Sequence, residues 1–184
     1  MPDDVHETAP TQFVQAGDSE VAYRRFGKRG TLPVLLLNYF AANMDDWDPK
    51  ITNGFAAARD VIIFDYPGIG LSSGATPSTV AAMTKDLVAF CRALGLSGCD
   101  IVGFSLGGMI AQQLASEYPD MVRRMILLGT GPRGGEKIEG APARPHGIDR
   151  HGLEGYAERA VPHKSVAASA ANPKFAHTLR HMRL

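Results

Sequence analysis

The sequence has no pattern that predicts a signal peptide or a membrane-spanning helix. Its 184 residues contain no uninterrupted apolar run of about 18 residues, the length that a spanning helix requires. The first ten residues, MPDDVHETAP, lack the basic and apolar regions of a secretory signal peptide. Only two cysteines are present, Cys91 and Cys99, which excludes a disulfide framework and a cysteine-based metal site. These absences predict a cytoplasmic protein in which both thiols are reduced and buried.

The chain has no net charge, because its 19 basic and 19 acidic side chains balance. Nucleic acid and anionic membranes are bound by concentrated Lys and Arg, so neither is expected as a partner. The composition changes at Gly134-Gly135, after which the chain holds five of its six histidines and few large apolar residues. We therefore predict a flexible N-terminus over residues 1–10, a core over 11–135, and an irregular or helical tail over 136–184.

Short apolar runs indicate the fold class. Four runs have no polar face, which is typical of strands covered on both sides in a parallel sheet: 33–37, 61–64, 100–102 and 125–128. Two earlier segments, 11–16 and 20–26, surround a Gly-Asp-Ser turn and predict an antiparallel hairpin.

Helical patterns lie between these runs. Thr76 and Pro77 fit the N-cap and first position of a helix whose apolar stripe continues to Leu94, with Gly95 as the residue after its end. A second helix is predicted over 106–118. The alternation predicts an α/β fold, with a mostly parallel sheet of about six strands and helices on both faces. In such sheets ligands bind beyond the carboxyl ends of the strands, so the residues that follow each run deserve most weight.

The pattern G-x-S-x-G stands between a predicted strand and a predicted helix. It reads Gly103-Phe104-Ser105-Leu106-Gly107. A serine in so sharp a turn adopts a strained backbone conformation and needs small neighbours at both glycine positions. The turn places the hydroxyl at a helix N-terminus, where the Leu106 N–H has no partner within the helix and can donate to a developing oxyanion. The alternative is a glycine-rich turn that contains a serine by chance.

Two further loops follow predicted strands. After residues 33–37 comes Asn38-Tyr39-Phe40, and the Phe40 N–H is a candidate second oxyanion donor. After residues 61–64 comes the loop 65–74, whose three glycines and one proline require tight turns. Its G-x-G pattern does not open a helix, which argues against a dinucleotide site. We expect this loop to shape the site from the side.

Residues 11–135 resemble the N-terminal half of an α/β-hydrolase-fold serine hydrolase. The resemblance lies in the Asp-x-x-Gly-x-Gly-x-Ser loop at 65–72, the elbow at 103–108, and the segment 117–130. It implies that Ser105 is the nucleophile and that the Phe40 and Leu106 N–H groups form the oxyanion hole. It also implies a small ester or acyl substrate and no cofactor or metal. Serine at the elbow is similar to esterases, lipases and cofactor-free haloperoxidases, and unlike the dehalogenases and epoxide hydrolases, which place Asp there.

The sequence departs from that family at two places. Asn38-Tyr39 stands where the family usually has His-Gly, and no Val/Ile/Leu run after residue 135 matches the strands that precede the catalytic acid and histidine. The chain therefore looks C-terminally incomplete, and a truncated or pseudoenzyme fragment is the alternative function. We expect weak ester hydrolysis and self-association through an exposed sheet edge at 125–128.

The catalytic base and acid are left open by the sequence. Any of the five tail histidines could act as the base if the tail folds back onto the elbow: His146, His151, His163, His177 and His181. Glu136 is a candidate acid. His177 and His181 have the spacing of two metal ligands on a helix, but no third ligand is evident, so no metal site is predicted.

Overall fold

One sheet of six strands organises residues 4–132, the part of the chain that the computed structural model describes. In spatial order the strands run β1-β2-β4-β3-β5-β6. Their bounds are β1 Gln12–Ala16, β2 Ser19–Gly27, β3 Val34–Leu37, β4 Asp60–Phe64, β5 Cys99–Phe104 and β6 Val122–Leu128. The three α-helices of the described residues are α1 Pro49–Ala56, α2 Val80–Ala93 and α3 Leu106–Glu117.

The strand directions confirm the predicted mostly parallel sheet. β1 and β2 form an antiparallel hairpin closed by Gly17, whose φ of 62° belongs to the left-handed region that glycine tolerates. β2 pairs antiparallel with β4, whereas the pairs β3–β4, β3–β5 and β5–β6 are parallel. The carboxyl ends of the four parallel strands therefore meet at one edge, where ligand-binding loops are expected.

Burial on both sides of the sheet explains why the central strands have no polar face. Every residue of β3 and β4 is buried. One cluster of side chains packs the sheet against α2 and α3, with Phe90 and Leu114 at its centre. A second cluster covers the opposite face, where Phe26 and Trp47 pack beside α1. The helices thus lie on both faces, as the alternating pattern predicted.

The start of α2 differs from the prediction. Thr79, rather than Thr76, is the N-cap, and its hydroxyl accepts a hydrogen bond from the Ala82 N–H at 3.1 Å. The Thr76 hydroxyl instead donates to the Pro67 carbonyl at 2.9 Å, and this hydrogen bond closes the loop before α2. Gly95 follows the last helical turn with φ of 67°, so the predicted C-terminal glycine is confirmed.

The first residues of the described chain are packed, so the flexible N-terminus predicted for residues 1–10 is wrong over residues 4–10. His6 is 3% exposed, and its backbone N–H donates to Asn53 Oδ1 at 2.9 Å. Its Nδ1 lies 2.8 Å from the Thr52 hydroxyl. Ala9 is also buried. Hydrogen bonds to α1 hold this polar segment where few apolar contacts could, which its composition did not reveal.

An ion cluster ties together the amino ends of the parallel strands. Asp100, near the start of β5, accepts from Arg59 Nη2 at 2.6 Å and from Arg123 Nε at 2.8 Å. We call these three residues the Asp100 cluster. Hydrogen bonds from Arg123, supported by Arg59, lower the pKa of Asp100 to about 2. Arg59 lies just before β4, Asp100 lies in β5, and Arg123 is the second residue of β6, so the cluster joins these three strands.

The Asp100 cluster predicts a specific acid sensitivity. Because the carboxyl pKa is lower in the folded chain than in the unfolded chain, the ion pairs stabilise the fold fully above pH about 4 and lose this effect as pH falls toward 2. Asp100→Asn removes that titration. Thermal melts between pH 6 and 2 should show a smaller acid-induced drop in melting temperature for Asp100→Asn than for wild type. Asp120→Asn, at an exposed position, serves as the control, and equal drops in all three proteins would contradict the prediction.

Strand β6 is the outer parallel strand of the described sheet. It pairs with β5 along one side, and no described strand pairs with its other side. Its last four residues, Met125 to Leu128, are between 38% and 48% exposed, although all four are apolar.

Among residues 4–132, no helix is both long and apolar enough to cross a membrane.

Candidate active site

Ser105 lies in a strained turn between β5 and α3. Its φ of 52° and ψ of −112° place a non-glycine residue in a region that L-amino acids rarely adopt. Such a conformation costs about 1–3 kcal/mol and persists only where the surrounding structure imposes it. The Ser105 N–H donates to the Leu128 carbonyl at 2.8 Å, which ties the turn to β6. The structure thus places Ser105 in the strained strand-to-helix turn that the G-x-S-x-G pattern predicted.

The glycines on either side of Ser105 permit the turn sterically. A Cβ on Gly103 would lie 2.6 Å from the Gly107 carbonyl oxygen. A Cβ on Gly107 would overlap the Leu37 carbonyl oxygen and lie 2.7 Å from that of Asn38. Real Cβ atoms do not approach backbone oxygens so closely. The first turn of α3 therefore packs directly on the end of β3, and only glycine fits at both positions.

The N-terminus of α3 leaves a donor beside the serine. Ser105 is the N-cap residue, but its hydroxyl makes no capping hydrogen bond. The first amide to bond back to the Ser105 carbonyl is that of Gly108, at 3.0 Å. The Leu106 N–H precedes it and, as in any helix, has no intrahelical partner. Both the hydroxyl and this N–H are therefore available for chemistry at the carboxyl end of β5.

The loop after β3 lies against this helix start. Its Tyr39 ring contacts the Phe104 ring edge to face, with centroids 5.2 Å apart. The backbone of Leu37 and Asn38 faces Gly107 directly. Phe40, the predicted second oxyanion donor, is thus carried by a loop that packs beside the Ser105 turn. Convergence of the Phe40 and Leu106 N–H groups on one point near the Ser105 hydroxyl stays a prediction.

Asp65 organises the neighbouring loop after β4. Its buried carboxylate accepts from the Met44 N–H at 2.7 Å and from the Leu71 N–H at 2.8 Å. Burial raises the pKa of Asp65 to about 6, which the two N–H donors partly oppose. A Cβ on Gly70 would overlap this carboxylate. Asp65 therefore fixes the conformation of the loop that borders the site. The sequence predicted that this loop shapes the site, but it assigned no separate role to Asp65.

The histidines divide between the described residues and the rest of the chain. His6 is the one histidine within residues 4–132, and its contacts with Thr52 and Asn53 hold the N-terminal segment on α1. The other candidates named from the sequence lie outside the described residues: Glu136, His146, His151, His163, His177 and His181. Within residues 4–132, no three His, Cys, Asp or Glu side chains are grouped to hold a metal ion.

The two cysteines are buried, as their composition predicted. Cys91 lies on α2 and Cys99 begins β5, and both thiols are free. Cys99 Sγ lies 3.5 Å from the Met121 carbonyl oxygen. A hydrogen bond with the neighbouring Cys99 sulfur, together with burial, raises the pKa of the Cys91 thiol, which therefore stays protonated. They act as small apolar side chains of the core.

Comparison with known proteins identifies the family. A family model described as alpha/beta hydrolase fold matches residues 33–155. A deacetylase of Xenorhabdus hominickii, pyrrolizixenacetamide deacetylase, is 33% identical over 120 residues, which are 63% of this chain and 43% of that protein. A poly(3-hydroxyalkanoate) depolymerase of Ectopseudomonas oleovorans is 31% identical over 119 residues, 64% of this chain and 41% of its own.

Solved structures agree. An alpha/beta hydrolase fold protein from Chitinophaga pinensis superposes with a TM-score of 0.69 at 46% identity, over 70% of this chain and 47% of that chain. The chain thus spans less than half the length of each of these three proteins. Its sheet order, its serine turn and these matches lead to one conclusion. This chain belongs to the alpha/beta hydrolase fold family.

Proposed function

We propose that this chain carries the nucleophile of a hydrolase that cleaves ester or acyl bonds of a small substrate. The observation that carries the proposal is the strained backbone of Ser105 at the carboxyl end of β5, with its hydroxyl free of capping bonds. Backbone strain concentrates at functional sites. The matched relatives include, by name, a deacetylase and a poly(3-hydroxyalkanoate) depolymerase, and these names support hydrolysis of the ester or acyl type.

The chemistry follows from the groups at the turn. The Ser105 hydroxyl attacks the substrate carbonyl carbon while its proton passes to an imidazole. The carbonyl oxygen becomes an oxyanion, which the Leu106 and Phe40 N–H groups stabilise. The carbon–oxygen or carbon–nitrogen bond to the leaving group then breaks as that group takes the proton. Water attacks the acyl-enzyme, releases the acid and restores the serine.

The imidazole must come from beyond residues 4–132. His6 packs beside Phe26, with ring centroids 5.9 Å apart, and its ring nitrogen binds Thr52, so it is committed to the N-terminal segment. The candidate bases are therefore the five tail histidines His146, His151, His163, His177 and His181. A carboxylate must orient whichever imidazole acts.

Labelling with a fluorophosphonate tests the nucleophile. This reagent forms a covalent bond to an activated serine, so wild-type protein should be labelled at Ser105 and Ser105→Ala should lose labelling. Ser116→Ala is the matched control, because Ser116 is exposed at the other end of the same helix, α3. Peptide mass spectrometry locates the label. Equal labelling of wild type and Ser105→Ala, or a label on Ser116, would contradict the proposal.

A second candidate function is a non-catalytic fragment, which the engagement of His6 favours within the described residues. Turnover of p-nitrophenyl acetate by wild type, Ser105→Ala and each tail His→Ala variant separates the two. If one histidine variant loses as much rate as Ser105→Ala, that histidine is the base. If none does and the rate exceeds that in water by only about 10³–10⁴-fold, binding and oxyanion stabilisation alone account for it.

A further inference from the structure

The loop after β3 is closed by one asparagine side chain. Asn38 is 2% exposed, and its Nδ2 donates to the Asn43 carbonyl oxygen across five residues. Within the loop the Ala42 N–H donates to the Tyr39 carbonyl at 3.3 Å. We call residues 38–43 the clasp loop. Its two ends are thus held together by the Asn38 carboxamide, while Phe40 lies at its centre.

The backbone of Asn38 makes two further contacts. Its main-chain carbonyl oxygen accepts a hydrogen bond from the buried Tyr66 hydroxyl at 3.3 Å. The same carbonyl faces Gly107 in the first turn of α3. The far end of the loop is fixed too, because the Met44 N–H donates to the Asp65 carboxylate. The clasp loop is therefore positioned relative to α3 through Asn38.

Backbone strain marks the clasp loop as well as the serine. Within residues 4–132, only two non-glycine residues have positive φ: Ala41 at 64° and Ser105 at 52°. Both follow neighbouring parallel strands, β3 and β5, at their carboxyl ends. Strain of this kind persists where surrounding contacts impose it, and it clusters at functional sites. The Asn38–Asn43 bond is a contact that can impose it on Ala41.

The Oδ1 atom of the Asn38 side chain indicates that this residue acts on loop geometry. Its Oδ1 is buried and has no hydrogen-bond partner among the described residues. A buried acceptor without a partner costs stability, so an asparagine is a poor choice for packing alone. The cost is accepted at a position where the Nδ2 donor closes the loop. This favours a role in loop geometry over one in the core.

We propose that Asn38 is a positioning residue, whose side chain closes the clasp loop and holds the Phe40 N–H toward the oxyanion site at Ser105. The proposal rests on the proposed function, since it needs Ser105 to be the nucleophile. At 2% exposure, the Asn38 side chain is too buried to be assigned a direct contact with substrate. It acts by holding a backbone donor in a strained loop, where a misplacement of about 1 Å can cost on the order of 100-fold in rate.

The test compares Asn38→Ala and Asn38→Asp with wild type. Both variants remove the Nδ2 donor, and the aspartate keeps the side-chain shape. We expect the maximal rate of fluorophosphonate reaction with Ser105 to fall by about 10- to 100-fold, with little change in the concentration for half-maximal rate. Hydrogen–deuterium exchange of peptides covering the clasp loop should become faster. A merely structural role would lower the melting temperature without moving the rate at saturating reagent.

Asn53→Ala is the matched control. The Asn53 side chain accepts a hydrogen bond from the His6 N–H and donates one to the Glu7 carboxylate, but it lies on α1 outside the clasp loop. This variant should lose stability and leave both readouts unchanged. The proposal is overturned if loop exchange is unchanged in both Asn38 variants, or if Asn53→Ala slows Ser105 equally. If wild-type Ser105 does not react, the proposed function fails, while the exchange measurement still decides whether Asn38 closes the loop.

Discussion

Alanine in place of Gly107 should destabilise the fold by about 3 kcal/mol and abolish phosphonate labelling of Ser105. The new methyl group would overlap the Leu37 carbonyl oxygen and press on that of Asn38. Both are backbone atoms, which cannot rotate away as a side chain can, so α3 must separate from β3. Thermal melts should show a melting temperature lower by about 10 °C. Labelling measured below that temperature reports the damage to the serine turn itself.

Gly54→Ala is the control for the glycine change. Gly54 lies inside α1, where nothing stands within 4 Å of an added Cβ. Alanine loses less backbone entropy than glycine in a helix, so this variant should be more stable by about 0.5–1 kcal/mol. Opposite signs for the two substitutions would establish that close packing is responsible. A Gly107→Ala protein that melts and labels like wild type would contradict the contact between α3 and β3.

Lysine in place of Ile126 should shift the 184-residue chain from associated species toward monomer. We propose that the chain associates with itself through β6, because within residues 4–132 no strand pairs with its outer edge, and an unpaired edge with four exposed apolar residues invites pairing. A charge on that strand makes pairing with a second copy unfavourable. Sedimentation velocity at micromolar concentrations measures the effect as a change in the fraction of protein above monomer mass.

Phe13→Lys is the matched control on the opposite edge of the sheet. Phe13 lies on β1 and is 50% exposed, slightly more than Ile126 at 48%. It is one exposed apolar residue in an alternating strand, whereas Ile126 belongs to a run of four. We expect Phe13→Lys to leave the association unchanged. Equal effects of the two variants would locate the contact elsewhere, and a monomeric wild type would refute it.

Local signals predicted most of the fold. Runs without polar residues became β3 and β4 because burial on both faces of a sheet leaves no position for a polar side chain. The run at 125–128 became the end of β6, where the same residues are exposed. Ser105 was found because the strained turn requires Gly103 and Gly107 nearby in sequence, which makes the requirement visible as a short pattern. The end of α2 was found in the same way from Gly95. In each case the pattern that predicts the feature lies within a few consecutive residues of the sequence.

Features that depend on distant partners were missed. The burial of His6 rests on bonds to residues 46 and 47 positions away, so its polar surroundings in sequence predicted the opposite. Helix α1 was not predicted, although Asp48 caps it and Pro49 begins it, because its eight residues include only two large apolar side chains, Ile51 and Phe55. Asn38 was read only as a departure from a family pattern. Its donor role depends on a loop geometry that a sequence does not display.

The Asp100 cluster separates two demands on the molecule. Asp100 and Ser105 are at opposite ends of β5, about 16 Å apart along an extended strand. The arginine contacts that fasten the sheet therefore share no atoms with the loops that surround the serine. Loops at the serine end can change in length and chemistry without loosening the fastened end. Mutations at the serine end of β5 can therefore be selected separately from mutations that affect the stability of the sheet.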